Sequence, residues 1–218
     1  MNDLDFWREA WTAGRVASHV KGPDKTLETH WPSLRVAPGR RVLVPLCGKS
    51  DDLAWLGSHG YISVGIEISE IACREFFAER GVQPALTARG AFVKWQGCGV
   101  TLLLGDFFDL DDTYDAAVDR GALVAFSPSE RVRYVNHLKA RLAPDSPMLL
   151  VTIEFDAARE GGPPYPVFPD EVQQLFPGST ELARGPLQRA RWERIGGADA
   201  VVWAAHVAGT GRGAVYRT

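Results

Sequence analysis

Cysteine is scarce in this 218-residue chain, and its three copies, Cys47, Cys73 and Cys98, are odd in number and share no metal-type spacing. That speaks against a disulfide framework and against a zinc site, so a reduced cytoplasmic protein with no metal is expected. Nothing approaches the roughly 18 consecutive apolar residues of a membrane-crossing helix. The first residues, MNDLDFWREAW, are acidic and amphipathic, unlike the basic region and apolar run of a secretory signal. A surplus of one charge is lacking too: the formal net charge of −3 gives no electrostatic reason to expect nucleic acid or an anionic membrane as partner. Internal repeats and low-complexity tracts are absent. What is plentiful is apolar residue, 45% against 23% charged, the balance of a soluble chain able to bury one sizeable core. A single domain over residues 1–218, acting as a monomer on a small molecule, is the expectation.

Residues 3–13 read as a short helix, capped by Asp3 and stopped by Gly14, with Phe6, Trp7 and Trp11 clustered on one side. Residues 15–40 carry Gly22-Pro23, Trp31-Pro32 and Pro38-Gly39 and read as turns, with room for a short helix over 24–30. From residue 41 the pattern becomes regular. Strands are expected at 41–44, 61–66, 92–95, 100–104, 115–118 and 148–155, from short apolar runs of the kind that fill a buried parallel sheet. Helices are expected at 50–58, at 69–80 before Gly81, and at 129–142 after the entry signal Ser127-Pro128. Residues 190–195 and 200–207 are expected to pair as a hairpin across Gly196-Gly197, and the last ten residues to fray. Strand and helix in alternation predict an α/β fold: a doubly wound, mostly parallel sheet with helices on both faces and an antiparallel edge hairpin.

Ligands of such sheets bind beyond the carboxyl ends of the strands, near the point where strand order reverses. Glu67 follows the second strand, about twenty residues beyond the first loop, where an acid can accept both hydroxyls of a ribose. It also fits a plain helix-flanking acid near Ser69. Asp106-Phe107 suits an adenine, one by hydrogen bond and one by ring contact, or equally a turn acid and a core aromatic. Gly48-Lys49-Ser50 suggests a phosphate loop, but the position that needs its first glycine is Leu43, and G-x-G-x-x-G is also missing. A ligand with ribose and adenine but no pyrophosphate does not need those glycines. S-Adenosyl-L-methionine is one.

At these positions the chain resembles the thiopurine S-methyltransferase family in its broad sense, which includes bacterial thiol and chalcogen methyltransferases. The resemblance is carried by the run from Val42 through Pro45-Leu46-Cys47-Gly48-Lys49-Ser50, followed by Asp52-Leu53 and Trp55-Leu56. Further blocks are Gly65-Ile66-Glu67-Ile68-Ser69, Gly105-Asp106-Phe107-Phe108, Tyr114-Asp115, Asp119-Arg120-Gly121-Ala122-Leu123 and Gly162-Pro163-Pro164-Tyr165. It implies a Rossmann-like, class I S-adenosylmethionine-dependent methyltransferase fold. It implies cofactor contacts at Trp7, Trp11, Leu46, Gly48, Glu67, Ile68, Asp106, Phe107 and Arg120. Residues 1–40 become a segment covering the cofactor, with Trp11, Gly14 and His19 matching a W-x-x-G…H pattern. The acceptor side falls to Arg120, Asp24 and Arg189 as catalytic residues, with His19 and Tyr165 lining the pocket. Without the resemblance, Trp7 and Trp11 read as a core stripe and Arg120 as half of an ion pair with Asp119 or Asp115. Cys47 reads as a small packing residue.

Two positions depart from the family: Ser18 replaces a frequent phenylalanine, and Asp24 a frequent asparagine of bacterial members. The region of Arg189, Arg191 and Arg194 matches loosely, and those three also suit a solvated charged strand. The expected reaction is methyl transfer to the sulfur of a small aromatic or heterocyclic thiol, or to another chalcogen. The thiolate of such an acceptor is already a strong nucleophile, so orientation and desolvation outweigh base catalysis. A halide, thiocyanate or other small nucleophile as acceptor, or a non-catalytic protein that senses the cofactor, are the alternatives.

Overall fold

The computed structural model describes residues 4–16, 21–159, 161–188 and 190–207. Strand β1 (Arg41–Val44) shows why the sheet is covered on both sides: Leu43 enters one apolar core, while Val42 and Val44 enter another. Before it come α1 (Leu4–Thr12) and α2 (Lys25–His30), the latter capped by Asp24, whose side chain accepts the Thr26 N–H. After it follow α3 (Asp52–Ser58), β2 (Ile62–Glu67) and α4 (Glu70–Ala78). Ser69 caps α4 on the Ala72 N–H, and Ala72, Cys73, Phe76 and Phe77 are buried along one helical stripe. Each of the two phenylalanines stabilises by roughly 1.5–3 kcal/mol on burial.

The chain continues through β3 (Ala85–Arg89), β4 (Phe92–Gly97), β5 (Val100–Leu104), β6 (Ala116–Asp119), α5 (Pro128–Ala140) and β7 (Ser146–Glu154). It ends in α6 (Pro169–Leu175), β8 (Thr180–Pro186), α7 (Ala190–Arg194) and β9 (Asp199–Val207). The strand order is β3-β4-β5-β2-β1-β6-β7-β9-β8. The five strands from β5 to β7 run parallel, and the pairs toward both edges are antiparallel. From β1 the chain winds outward through β2 and β5, then returns to place β6 on the other side, so the order reverses at β1.

The expected hairpin is corrected. Residues 190–194 are helical, and β9 lies between β7 and β8. Trp192 and Ile195 fall three apart, which is helix spacing, and both join a small core with Phe155 and Ala198. Gly196 and Gly197 have φ of 89° and 103° and send their N–H groups back to Glu193 and Trp192, closing a helix end rather than turning a hairpin. Strands β3 and β8 were not expected: β3 is exposed along its whole length and offers no alternation, while β8 includes a glycine and a proline. Asp3 and the last ten residues lie outside the described residues. Among those described, no helix is long and apolar enough to cross a membrane, and no group of residues could hold a metal ion.

Candidate active site

The loop after β1 turns sharply: Leu46 and Gly48 take φ of 47° and 56°. A left-handed leucine is costly and persists only where its surroundings fix it. Here Cys47 N–H donates to the Ile66 carbonyl at 2.9 Å and Gly48 N–H to Glu67 Oε2 at 2.8 Å. Glu67 ends β2, is 5% exposed, and accepts the Ser69 N–H through Oε1 at 2.7 Å. Burial pushes its carboxyl above the ordinary value, against the Ser69, Gly48 and Ile68 N–H groups that act the other way. Two oxygens offer about four acceptor sites, so beside these N–H groups the carboxylate retains acceptor capacity for a further donor. A hydroxyl of a sugar is such a donor.

Beside Glu67, a cavity of about 410 Å³ opens between α1 and the ends of β2 and β5, lined by Arg8, Thr12, Ile68, Ser69, Leu104 and Gly105 among others. A side chain at Gly105 would meet the Phe92 ring at 2.6 Å. Asp106 Oδ1 accepts the Phe108 N–H at 2.9 Å and opens a single 3-10 turn, leaving Phe107 5% exposed against Tyr134 and His137. Both residues thus carry the plain turn and core roles, whatever else they do. The Trp11 ring lies on the loop: a Cβ on Gly48 would be 3.3 Å from it. Trp7 packs edge-on to Phe6 at 5.2 Å. Lys49 is committed to Glu75 and Glu79, at 2.7 and 2.5 Å, so its ammonium does not serve a phosphate. The donor set therefore fits a nucleoside without pyrophosphate, and a cofactor of the S-adenosylmethionine type meets it. Cys47 is buried, and burial pushes its thiol well up, so it packs rather than reacts.

On the other side of β1, Arg120 follows β6. Its expected ion-pair partners are corrected: Nε donates to Asp52 at 2.7 Å, Nη2 to Ser50 Oγ at 3.0 Å, and Nη1 stands 3.6 Å from Asp24 Oδ2. Asp119 points into the core, where it accepts the Ala122 and Leu123 N–H groups and the Tyr134 hydroxyl. Asp115 accepts the Arg41 N–H and pairs with Arg40. The structure thus brings Arg120 and Asp24 together. Tyr165 is half-buried, held by its N–H on the Val124 carbonyl at 2.7 Å, with its ring where a Gly162 side chain would be. Buried Arg131 fastens that loop, reaching the Pro166 carbonyl and Glu171. Sequence reasoning missed Arg131, an arginine on a helix face whose depth shows only after folding, and Asp52, visible only as part of a motif. His19 and Arg189 lie outside the described residues.

A family model described as thiopurine S-methyltransferase matches residues 2–192. The thiopurine S-methyltransferase of Pseudomonas syringae pv. pisi is 42% identical over 184 residues, 83% of this chain and 84% of its own. The protein of the same name from Pseudomonas paraeruginosa (strain DSM 24068 / PA7) is 40% identical over 196 residues, covering 87% and 90%. Among solved structures, the chain is similar to Burkholderia thailandensis 1,6-didemethyltoxoflavin-N1-methyltransferase with bound 1,6-didemethyltoxoflavin and S-adenosylhomocysteine. The TM-score is 0.63 at 17% identity, over 93% of this chain and 86% of that one. At such low identity the likeness speaks for the fold alone, a class I methyltransferase sheet.

Proposed function

The chain belongs to the thiopurine S-methyltransferase family, and on that premise we propose that it transfers a methyl group from S-adenosyl-L-methionine to the thiolate of a small aromatic or heterocyclic acceptor. The cofactor supplies an electrophilic methyl on a sulfonium whose neutral thioether departs. Glu67 holds the ribose hydroxyls with its spare lone pairs, and Ile68, Asp106 and Phe107 border the adenine. Leu46 and Gly48 offer the cofactor a turned backbone, with Trp7 and Trp11 of the 1–40 segment closing over it and excluding water. Arg120, with Asp24 and Arg189, forms the charged acceptor side, and His19 and Tyr165 its walls. The observation that carries the acceptor class is Arg120: Nη1 has no partner shorter than 3.6 Å among the described residues, so a guanidinium N–H can meet an incoming anion. An aromatic thiolate is that anion. Holding it in line is the enzyme's main contribution, with little general-base work.

The weak net charge supports a small-molecule acceptor rather than nucleic acid, and free cysteines support a reducing cytoplasmic setting. We read residues 1–218 as one catalytic domain acting as a monomer. Titration with S-adenosylhomocysteine and with NAD, followed by methyl transfer from labelled cofactor to aromatic thiols, selenite and halides, tests the proposal. Heat from the first ligand alone and label on thiols support it. Label on halides only would move the acceptor class, and binding without turnover on any acceptor would make the protein a sensor.

A further inference from the structure

Asp52 lies almost fully inside the protein, its side chain 2% exposed, and its two oxygens serve different parts of the chain. Oδ1 accepts the backbone N–H of Asp24 at 2.8 Å, and Oδ2 accepts the Arg120 Nε–H at 2.7 Å. The neighbouring Asp51 accepts the Gly22 N–H at 2.5 Å and pairs with Arg80. Residues 22–24 are therefore pinned twice to the start of α3, and one of the pins is also the anchor of the acceptor-side arginine. A guanidinium is planar, so fixing Nε on Asp52 and Nη2 on Ser50 fixes the direction of Nη1. Whatever displaces residues 22–24 removes a donor from a buried carboxylate and disturbs the plane it holds.

We propose that Asp52 is a positioning residue for the transfer reaction, tying the placement of residues 22–24 to the aim of Arg120 through a single carboxylate. This rests on the acceptor role given to Arg120 above. In Asp52→Asn the amide has a single acceptor oxygen, so its NH2 faces either the Arg120 Nε–H or the Asp24 N–H, donor against donor, and either orientation breaks the tie between them.

Steady-state kinetics with thiosalicylate, calorimetry with S-adenosylhomocysteine, and tryptic cleavage after the exposed Lys21 test the proposal together. In Asp52→Asn the acceptor KM should rise about ten-fold while cofactor affinity stays within about two-fold. Cleavage after Lys21 should accelerate by about five-fold or more. In an Arg120→Lys background the same change should add less than about two-fold to KM, since the anchored group is gone. Wild-type values, a change in KM or in cleavage without the other, or independent multiplying effects overturn the proposal. Should Asp52→Asn not fold, Asp52→Glu, which keeps the charge but moves it by one methylene, is judged by the same criteria. If the wild-type protein methylates no thiol, the acceptor reading fails by itself. Cleavage then decides: faster in Asp52→Asn supports the tie, equal rates overturn it.

Discussion

The Tyr134 hydroxyl donates to Asp119 Oδ2 at 2.8 Å, with both side chains fully buried. That bond and the Ala122 and Leu123 N–H groups on Oδ1 hold the turn in which Arg120 stands. Burial pushes the Asp119 carboxyl up, and the same donors act to hold it down. Tyr134→Phe removes one donor from a buried carboxylate and should cost about 1–3 kcal/mol of stability. Urea unfolding checks this; an unchanged midpoint would mean that the hydroxyl contributes nothing.

Glu67→Ala should weaken S-adenosylhomocysteine binding by about 1–3 kcal/mol, because the sugar hydroxyls lose their acceptor. It also leaves the Gly48 and Ser69 N–H groups unpaired, so the loss in affinity must be read beside the loss in stability. Calorimetry on a variant shown to be folded gives the answer, and equal affinity would remove Glu67 from the ribose.

The same residue gives a pH dependence. Burial holds the Glu67 carboxyl above the ordinary value of 4.5, so the folded state keeps this proton to higher pH than the unfolded chain. The native state then binds more protons, and this group makes stability fall as pH rises from about 4.5 until both states are ionised. Hydroxyl donors favour the carboxylate, so cofactor affinity should rise across that window as a proton is released. Calorimetry in two buffers of different ionisation enthalpy measures the proton count; no release would contradict the assignment.

Gly65 in β2 has no room for a methyl group. A Cβ there would fall 2.6 Å from Cys47 Sγ and 2.7 Å from Leu102 Cδ2. Gly65→Ala should destabilise by about 1–3 kcal/mol through overpacking, and Cys47→Ala should restore part of that. Thermal unfolding of the two single variants and the double variant tests the coupling.

Thiol reactivity should divide the cysteines. Desolvation pushes all three thiols up, but Cys47 and Cys73 are buried whereas Cys98 is exposed to the reagent. Ellman's reagent should titrate one thiol in the folded protein and three after denaturation. Three fast thiols in the native state would show that the core around Cys47 opens readily.

The central strands were legible because each is a short apolar run, and β1 begins and ends where residues 41–44 predict. The carboxyl-terminal pairing was not legible. In residues 190–195 the small and charged residues fit a strand as well as a helix, and only the core of Phe155, Trp192 and Ala198 decides between them. The site divides in the same way. Glu67 could be proposed from its separation from the first loop, beside a plain helix-flanking reading, and Leu46 and Gly48 from the family's motif, whereas the partner of Arg120 could not be read.

By itself, the amino-acid sequence determined the alternation of strand and helix and the ribose-binding candidate, since these depend on local periodicity and short-range spacing, while its motif blocks carried the family resemblance. Only the tertiary structure decided that Arg120 rests on Asp52 rather than Asp119. Residues 68 apart meet through the order of the strands, and the side chain of an adjacent residue, Asp119, is turned to the opposite side by the pleat of β6.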